Sequence, residues 1–246
     1  MPTIDSDAHV IETERTWEFM DESETQFKPV TVTSSSAPGK QFWMVDGKIF
    51  NRGTNIGKDT SDASREMKDI EARLKHMDEL GVDIQVLYPS LFLRPLTIRP
   101  EVERALCRSY NRWLTDIYRK GEKRLQWAAI LPLLNMDYAL AEARWAKDNG
   151  ACALFTRAIP ENRVLTDSHF FPLYEEASRL NLPICVHSSA GSFEWNQVFE
   201  QETGFGKFKL PVVSSFHSIV YDGLMERFPK LKFGFIEVSA QWIPYA

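Results

Sequence analysis

From about residue 84 to residue 237 this chain alternates helical spacing with short apolar runs, and that alternation leaves few folds open to it. The runs are Ile84-Gln-Val-Leu-Tyr88, Leu125-Gln-Trp-Ala-Ala-Ile-Leu-Pro132, Ala151-Cys-Ala-Leu-Phe155, Leu182-Pro-Ile-Cys-Val-His187 and Leu231-Lys-Phe-Gly-Phe-Ile-Glu237, preceded by a first strand starting near residue 3. Strands that are apolar almost throughout are buried on both faces, and strands separated by helices pair in parallel, so the pattern predicts a parallel sheet covered by helices. Helices are predicted at about 100–121, from an Asn135 cap to Gly150, from an Asp167 cap through Phe171, Leu173, Ala177 and Leu180, and at about 211–227. Asp62 is predicted to cap one more, carrying Met67, Ile70, Leu74 and Met77 and closed by Gly81.

Residues 12–62 interrupt this order after the first strand. They are charged and rich in Ser and Thr, and Asp46-Gly47 between Gln41-Phe-Trp-Met-Val and Lys48-Ile-Phe predicts a two-residue hairpin turn. At 246 residues and 43% hydrophobic content the chain suits one large α/β domain over 1–246. A net charge of −5 argues against a nucleic-acid or anionic-membrane surface. Cys107, Cys152 and Cys185 are too few and too widely spaced for a disulfide framework or a thiolate zinc site. With no signal segment and no apolar run of membrane-spanning length, the expected compartment is the cytoplasm.

Polar residues collect at the C-terminal ends of the predicted strands: His9, Arg157, His187 and Glu237. In a parallel α/β barrel that rim is where chemistry gathers. An open doubly wound sheet also uses strand C-termini but usually carries a Gly-rich turn after strand one, and Val10-Ile-Glu-Thr-Glu-Arg offers none. Asp7 and His9 stand at i and i+2 of a strand, so both can face one ion, and His187 ends a distant apolar strand. Together they propose a divalent-metal enzyme acting on a small molecule. Asp5 is read as sharing their strand face and Glu12 as following the pair, both as residues that orient a ligand or anchor a loop. Arg157 suits a substrate carboxylate, and Trp242 and Tyr245 suit the wall of a pocket. His217 is expected to pack against the sheet, and His76 to lie on a solvated helix face.

Asp5-Ser-Asp-Ala-His-Val-Ile-Glu12, the stretch from Arg73 through Tyr88-Pro89, Tyr110-Asn-Arg-Trp113, Pro183-Ile-Cys-Val-His187 and the stretch from Glu226 to Glu237 occur in an order that resembles the amidohydrolase-related branch of the amidohydrolase superfamily. That branch includes the aminocarboxymuconate-semialdehyde and resorcylate decarboxylases. The resemblance implies a metal-dependent (β/α)8 TIM barrel. It also implies a divalent ion (Zn, Mn or Fe) held by Asp7, His9, His187 and an Asp after strand eight. Two departures follow. The decarboxylases place a catalytic His where this chain has Glu237, and about six of eight β/α units are present, so the rest of the barrel is expected from the same or another chain. Family members commonly form dimers, which makes a homodimer an expectation too. The leading functional expectation is hydrolysis of an amide, ester or related acyl bond by metal-activated water, with Glu237 catalytic. Decarboxylation of an aromatic or unsaturated acid, and a non-catalytic truncated barrel, are the alternatives.

Overall fold

The computed structural model describes residues 1–35, 37–52, 60–201 and 204–245, so residues 36 and 53–59 of the 12–62 segment lie outside the described residues. The chain divides into two compact units, the first comprising residues 1–92 and 96–128, the second 93–95 and 129–246.

In the first unit, β1 (Ile4–His9) is followed by two 3-10 turns and a small sheet of β2 (Val30–Ser34), β3 (Ala37–Val45) and β4 (Lys48–Asn51). The antiparallel pairing of Val45 with Lys48 closes on Asp46 and Gly47, at φ 48° and 75°. Both lie in the left-handed region that a tight hairpin turn requires. β2, which pairs with β3, is a strand that the sequence analysis did not predict. Next come α1 (Asp62–Arg65), α2 (Ile70–Glu79), β5 (Ile84–Tyr88), α3 (Pro100–Lys120) and the start of β6 (Leu125–Ile130). The single helix predicted from Asp62 is broken here. Ser61 caps α1, Met67 sits at φ 52°, and the Asp69 side chain accepts from the Ala72 amide to start α2. Gly81 ends this segment at φ 67°, as its place after the helical pattern predicts.

β1, β5 and β6 pair in parallel in that order. α3 opens on Pro100 with Glu101 and Glu103 in its first turn and closes with Arg119 and Lys120, matching the helix dipole at both ends. Its buried stripe joins an aromatic core in which Trp17 meets Trp43 edge-on at 6.0 Å, and Phe92 meets Tyr110 at 5.3 Å.

The second unit holds α4 (Met136–Asp148), β7 (Ala153–Arg157), α5 (Phe171–Leu180), β8 (Ile184–His187), α6 (Phe193–Val198), α7 (Leu210–Tyr221), α8 (Leu224–Arg227) and β9 (Phe233–Ile236). β7, β8 and β9 are parallel and in register, with Arg157 opposite His187 and His187 opposite Ile236. The helix predicted at about 211–227 is two helices, divided at Gly223, whose φ of 66° interrupts the helical ladder. Tyr174, Phe228 and Phe233 pack edge to face beneath β9 and α5, at 5.6 and 5.9 Å from Tyr174.

α4 is tied to α5 through Glu176, which accepts from Arg144 Nε at 2.6 Å and Arg179 Nη2 at 2.7 Å. The hydrogen bond from Arg179 leads, that from Arg144 adds to it, and together they outweigh burial, holding the Glu176 carboxyl down to about 2. A carboxyl whose pKa falls on folding contributes stability above its unfolded value of about 4.3, lost as pH drops towards the folded value. The melting temperature is therefore expected to fall between about pH 4.5 and 2, and Glu176→Gln to flatten that acid limb in thermal melts run across pH. An unchanged acid limb in the variant would remove Glu176 from the account.

Candidate metal centre

In the first unit the site is set by an irregularity in β1. Ile4 and Asp5 pair with Ile84 and Gln85, but Ala8 and His9 pair with Leu87 and Tyr88, so one extra residue is accommodated between Asp5 and Ala8. Such a bulge re-aims the residues beyond it. Gln85 and Tyr88 stand three apart on β5 and so point to opposite faces, and their partners Asp5 and His9 do as well. Asp5 therefore does not share the face of His9, contrary to the expectation from strict alternation.

Asp7 lies within the bulged stretch and His9 beyond it, with Asp7 Oδ1 3.6 Å from His9 Nε2. His9 Nδ1 is 3.0 Å from the Pro89 carbonyl. With its proton on Nδ1 the ring donates to that carbonyl and turns the Nε2 lone pair towards Asp7. Metal bonds of about 2.0–2.2 Å at a tetrahedral angle place two donors about 3.4 Å apart, so the Asp7–His9 separation fits a shared ion.

Behind the pair stands a polar network built on Asp5, whose other members, Gln85 and Arg73, the sequence analysis did not assign. Asp5 Oδ1 accepts from the Asp7 amide at 3.2 Å, and its Oδ2 accepts from Gln85 Nε2 at 2.9 Å. Gln85 Oε1 accepts from Arg73 Nε at 2.7 Å, and Arg73 Nη2 donates to the His9 carbonyl at 3.3 Å. Arg73 is buried on α2, and burial holds its guanidinium down to about 10, against the opposing pull of Asp5. The signal was present: Arg73 falls on the stripe of Ile70 and Met77, and Gln85 interrupts an apolar strand. A charged residue on a core-facing stripe needs a partner. Glu12, also buried, accepts the amides of Ser90 and Leu91.

In the second unit His187 ends β8 with no exposed surface, its Nδ1 2.8 Å from the Ser188 carbonyl. Glu237 Oε2 lies 3.8 Å from the same nitrogen, beyond hydrogen-bond length, and the Glu237 side chain is 49% exposed. Glu237 adopts φ 57° directly after β9, a left-handed turn uncommon for Glu that brings its carboxylate back to His187. Lys209 Nζ donates to the Glu237 carbonyl at 2.7 Å. Arg157, in register with His187, donates from Nε to the Gly191 carbonyl at 3.1 Å and sits 3.6 Å from Glu161. Burial raises the Glu161 carboxyl, with Arg157 opposing, and Glu161 itself holds φ 57°.

Trp242 donates its indole N–H to the Val238 and Ser239 carbonyls and packs on Phe216 at 4.9 Å. That places it in the packing of α7 and β9. The Tyr245 side chain lies outside the described residues. His217 is exposed and stacks on Tyr221 at 5.7 Å, so it faces away from the sheet it was expected to pack against. Among the described residues no helix is long and apolar enough to cross a membrane.

Residues 4–244 match the family model described as amidohydrolase. Among solved structures, the chain is similar to an amidohydrolase from Mycobacterium avium subsp. paratuberculosis, at 17% identity and a TM-score of 0.80 over 99% of this chain and 74% of that one. It is similar to 5-carboxyvanillate decarboxylase from Sphingomonas paucimobilis, at 15% identity and 0.69 over 96% of this chain and 67% of that one. The likeness extends to 4-oxalomesaconate hydratase from Rhodopseudomonas palustris, at 19% identity and 0.59 over 95% of this chain and 62% of that one. The chain thus spans between about three-fifths and three-quarters of these proteins' lengths, and at such identities the likeness is one of fold.

Proposed function

The chain belongs to the amidohydrolase family, and from that premise we propose that it is a metal-dependent hydrolase of an amide, ester or related acyl bond in a small molecule. On that premise Asp7, His9 and His187 would hold one divalent ion. The observation that carries this reading is the preparation of His9: its Nδ1 is committed to the Pro89 carbonyl, and its Nε2 stands at ligand-sharing distance from Asp7. His187 repeats the device, with Nδ1 against the Ser188 carbonyl. One carboxylate and two imidazoles suit zinc, manganese or iron.

When bound, the ion supplies a Lewis acid that polarises a carbonyl and lowers the pKa of bound water towards about 7. The chain's own groups do the rest. Glu237 is exposed enough to reach solvent and substrate, and its carboxylate serves as proton acceptor beside His187. Arg157 is held in place by Gly191 and offers a planar fork to a substrate carboxylate. That guanidinium, in the register position next to His187, favours a second reading, non-oxidative decarboxylation of a carboxylic acid.

The test is a metal analysis of the purified protein, followed by parallel assays for amide or ester cleavage and for released CO2. Hydrolysis with about one ion per chain, and a kcat lowered about 10²-fold or more in Glu237→Gln, is the expected result. CO2 release without acyl cleavage would transfer the site to the second reading. Arg157→Gln is expected to raise KM for carboxylate-bearing substrates about tenfold or more while leaving neutral ones unaffected.

A further inference from the structure

We propose that Glu12 is a positioning residue that fixes His9, through the loop at residues 88–91, in the tautomer and orientation a metal ligand needs. The inference rests on His9 being a ligand, the reading given above. Five hydrogen bonds join the end of β1 and the segment after it to the end of β5 and the segment after it. The Val10 amide donates to the Tyr88 carbonyl at 3.1 Å. His9 Nδ1 meets the Pro89 carbonyl at 3.0 Å. Ser90 Oγ donates to the Val10 carbonyl at 2.7 Å. Beyond these, the two oxygens of Glu12 divide the next two amides between them, Oε1 taking Ser90 N at 3.1 Å and Oε2 taking Leu91 N at 2.9 Å.

Glu12 is only 1% exposed, and a carboxylate kept that deep is retained by good bonding. Both of these bonds go to backbone amides, so what they fix is the placement of a loop. Pro89 brings no amide of its own, and the Pro89 carbonyl is held from one side by the Val10–Tyr88 bond and from the other by Glu12 and Ser90. A carbonyl fixed at Nδ1 selects the Nδ1–H tautomer and leaves Nε2 as the donor atom towards a metal. The Glu12 carboxylate thus acts on His9 at one remove, just as Asp5 acts on Asp7 through the Asp7 amide.

Glu12→Gln keeps the shape but sets an amide NH2 against one of two backbone N–H groups, so one attachment becomes a donor facing a donor. The first readout is the ring-nitrogen NMR spectrum of His9 in the metal-free full chain. The unsubstituted protein is expected to show a dominant Nδ1–H tautomer, and Glu12→Gln a mixed population. The second readout is zinc affinity by competition titration, expected to weaken about 10- to 100-fold in the variant. Should Glu12→Gln fail to fold, Ser90→Ala removes a neighbouring attachment of the same loop and is expected to shift the tautomer in the same direction. A folded variant with unchanged His9 tautomer and zinc affinity within twofold overturns the proposal. If the unsubstituted protein binds no zinc, manganese or iron, the ligand reading falls, while the tautomer comparison still decides the role of Glu12.

Discussion

Asp7→Asn is expected to remove stoichiometric metal and reduce turnover to background while leaving the fold intact. The substitution is nearly isosteric, and the hydrogen bond from the residue 7 backbone amide to Asp5 is one that an Asn keeps. What changes is the ligand. An amide oxygen brings no charge to balance a dication, and the donor 3.6 Å from His9 Nε2 becomes neutral. Bulk water has a pKa near 15.7 and zinc-bound water one near 7, so losing the ion removes about nine units of acidification that no side chain in the set replaces. Elemental analysis and circular dichroism, run together, check this. Full metal occupancy in a folded Asp7→Asn protein would exclude Asp7 as a ligand. His187→Ala is expected to lose metal as well, but it also opens a cavity at a position with no exposed surface, so its stability loss needs measuring beside its metal content.

The alternation of helices and strands was legible because it is written in apolar period. Strand starts read near 84 and 125 coincide with β5 and β6, and those near 151, 182 and 231 fall two residues ahead of β7, β8 and β9. What was not legible came from backbone conformation at single residues. Met67 at φ 52° and Gly223 at φ 66° each divide a segment whose side-chain spacing reads as one helix. Period alone carries no sign of where a ladder will break. Glu237 at φ 57° is the same kind of event: its carboxylate returns to His187 by a left-handed turn that residue type does not advertise. The bulge in β1 is the most instructive. Asp7, within it, and His9, beyond it, still come together, whereas Asp5, before it, turns to the other face. Asp5 still reaches the site, but through the Asp7 amide and Gln85 instead of by facing an ion.

That route makes Arg73 the residue whose loss is expected to cost most in stability. Arg73→Met preserves much of the buried stem but leaves Gln85 Oε1 and the His9 carbonyl without the donors they have at 2.7 and 3.3 Å. It also strips Asp5 of the nearby positive charge. Burial already works against the guanidinium, whose pKa is held down to about 10, so the pair's net worth is modest; removing one partner is different. Leaving a buried charge and its acceptors uncompensated typically costs about 3–5 kcal/mol, whereas replacing both sides with apolar groups is often close to neutral. Urea unfolding of Arg73→Met, Gln85→Leu and the double variant should therefore show strong coupling, with the double variant more stable than the sum of the single losses allows. Additive losses would mean that Arg73 contributes by packing alone. Stability and metal affinity are expected to part company in this cycle. The double variant recovers folding free energy, yet the His9 carbonyl and Asp5 remain without the contacts that set Asp7 and His9 in place, so its zinc affinity stays low. A double variant that regains both would show that the Arg73 network holds up the fold and does nothing further for the pair in front of it.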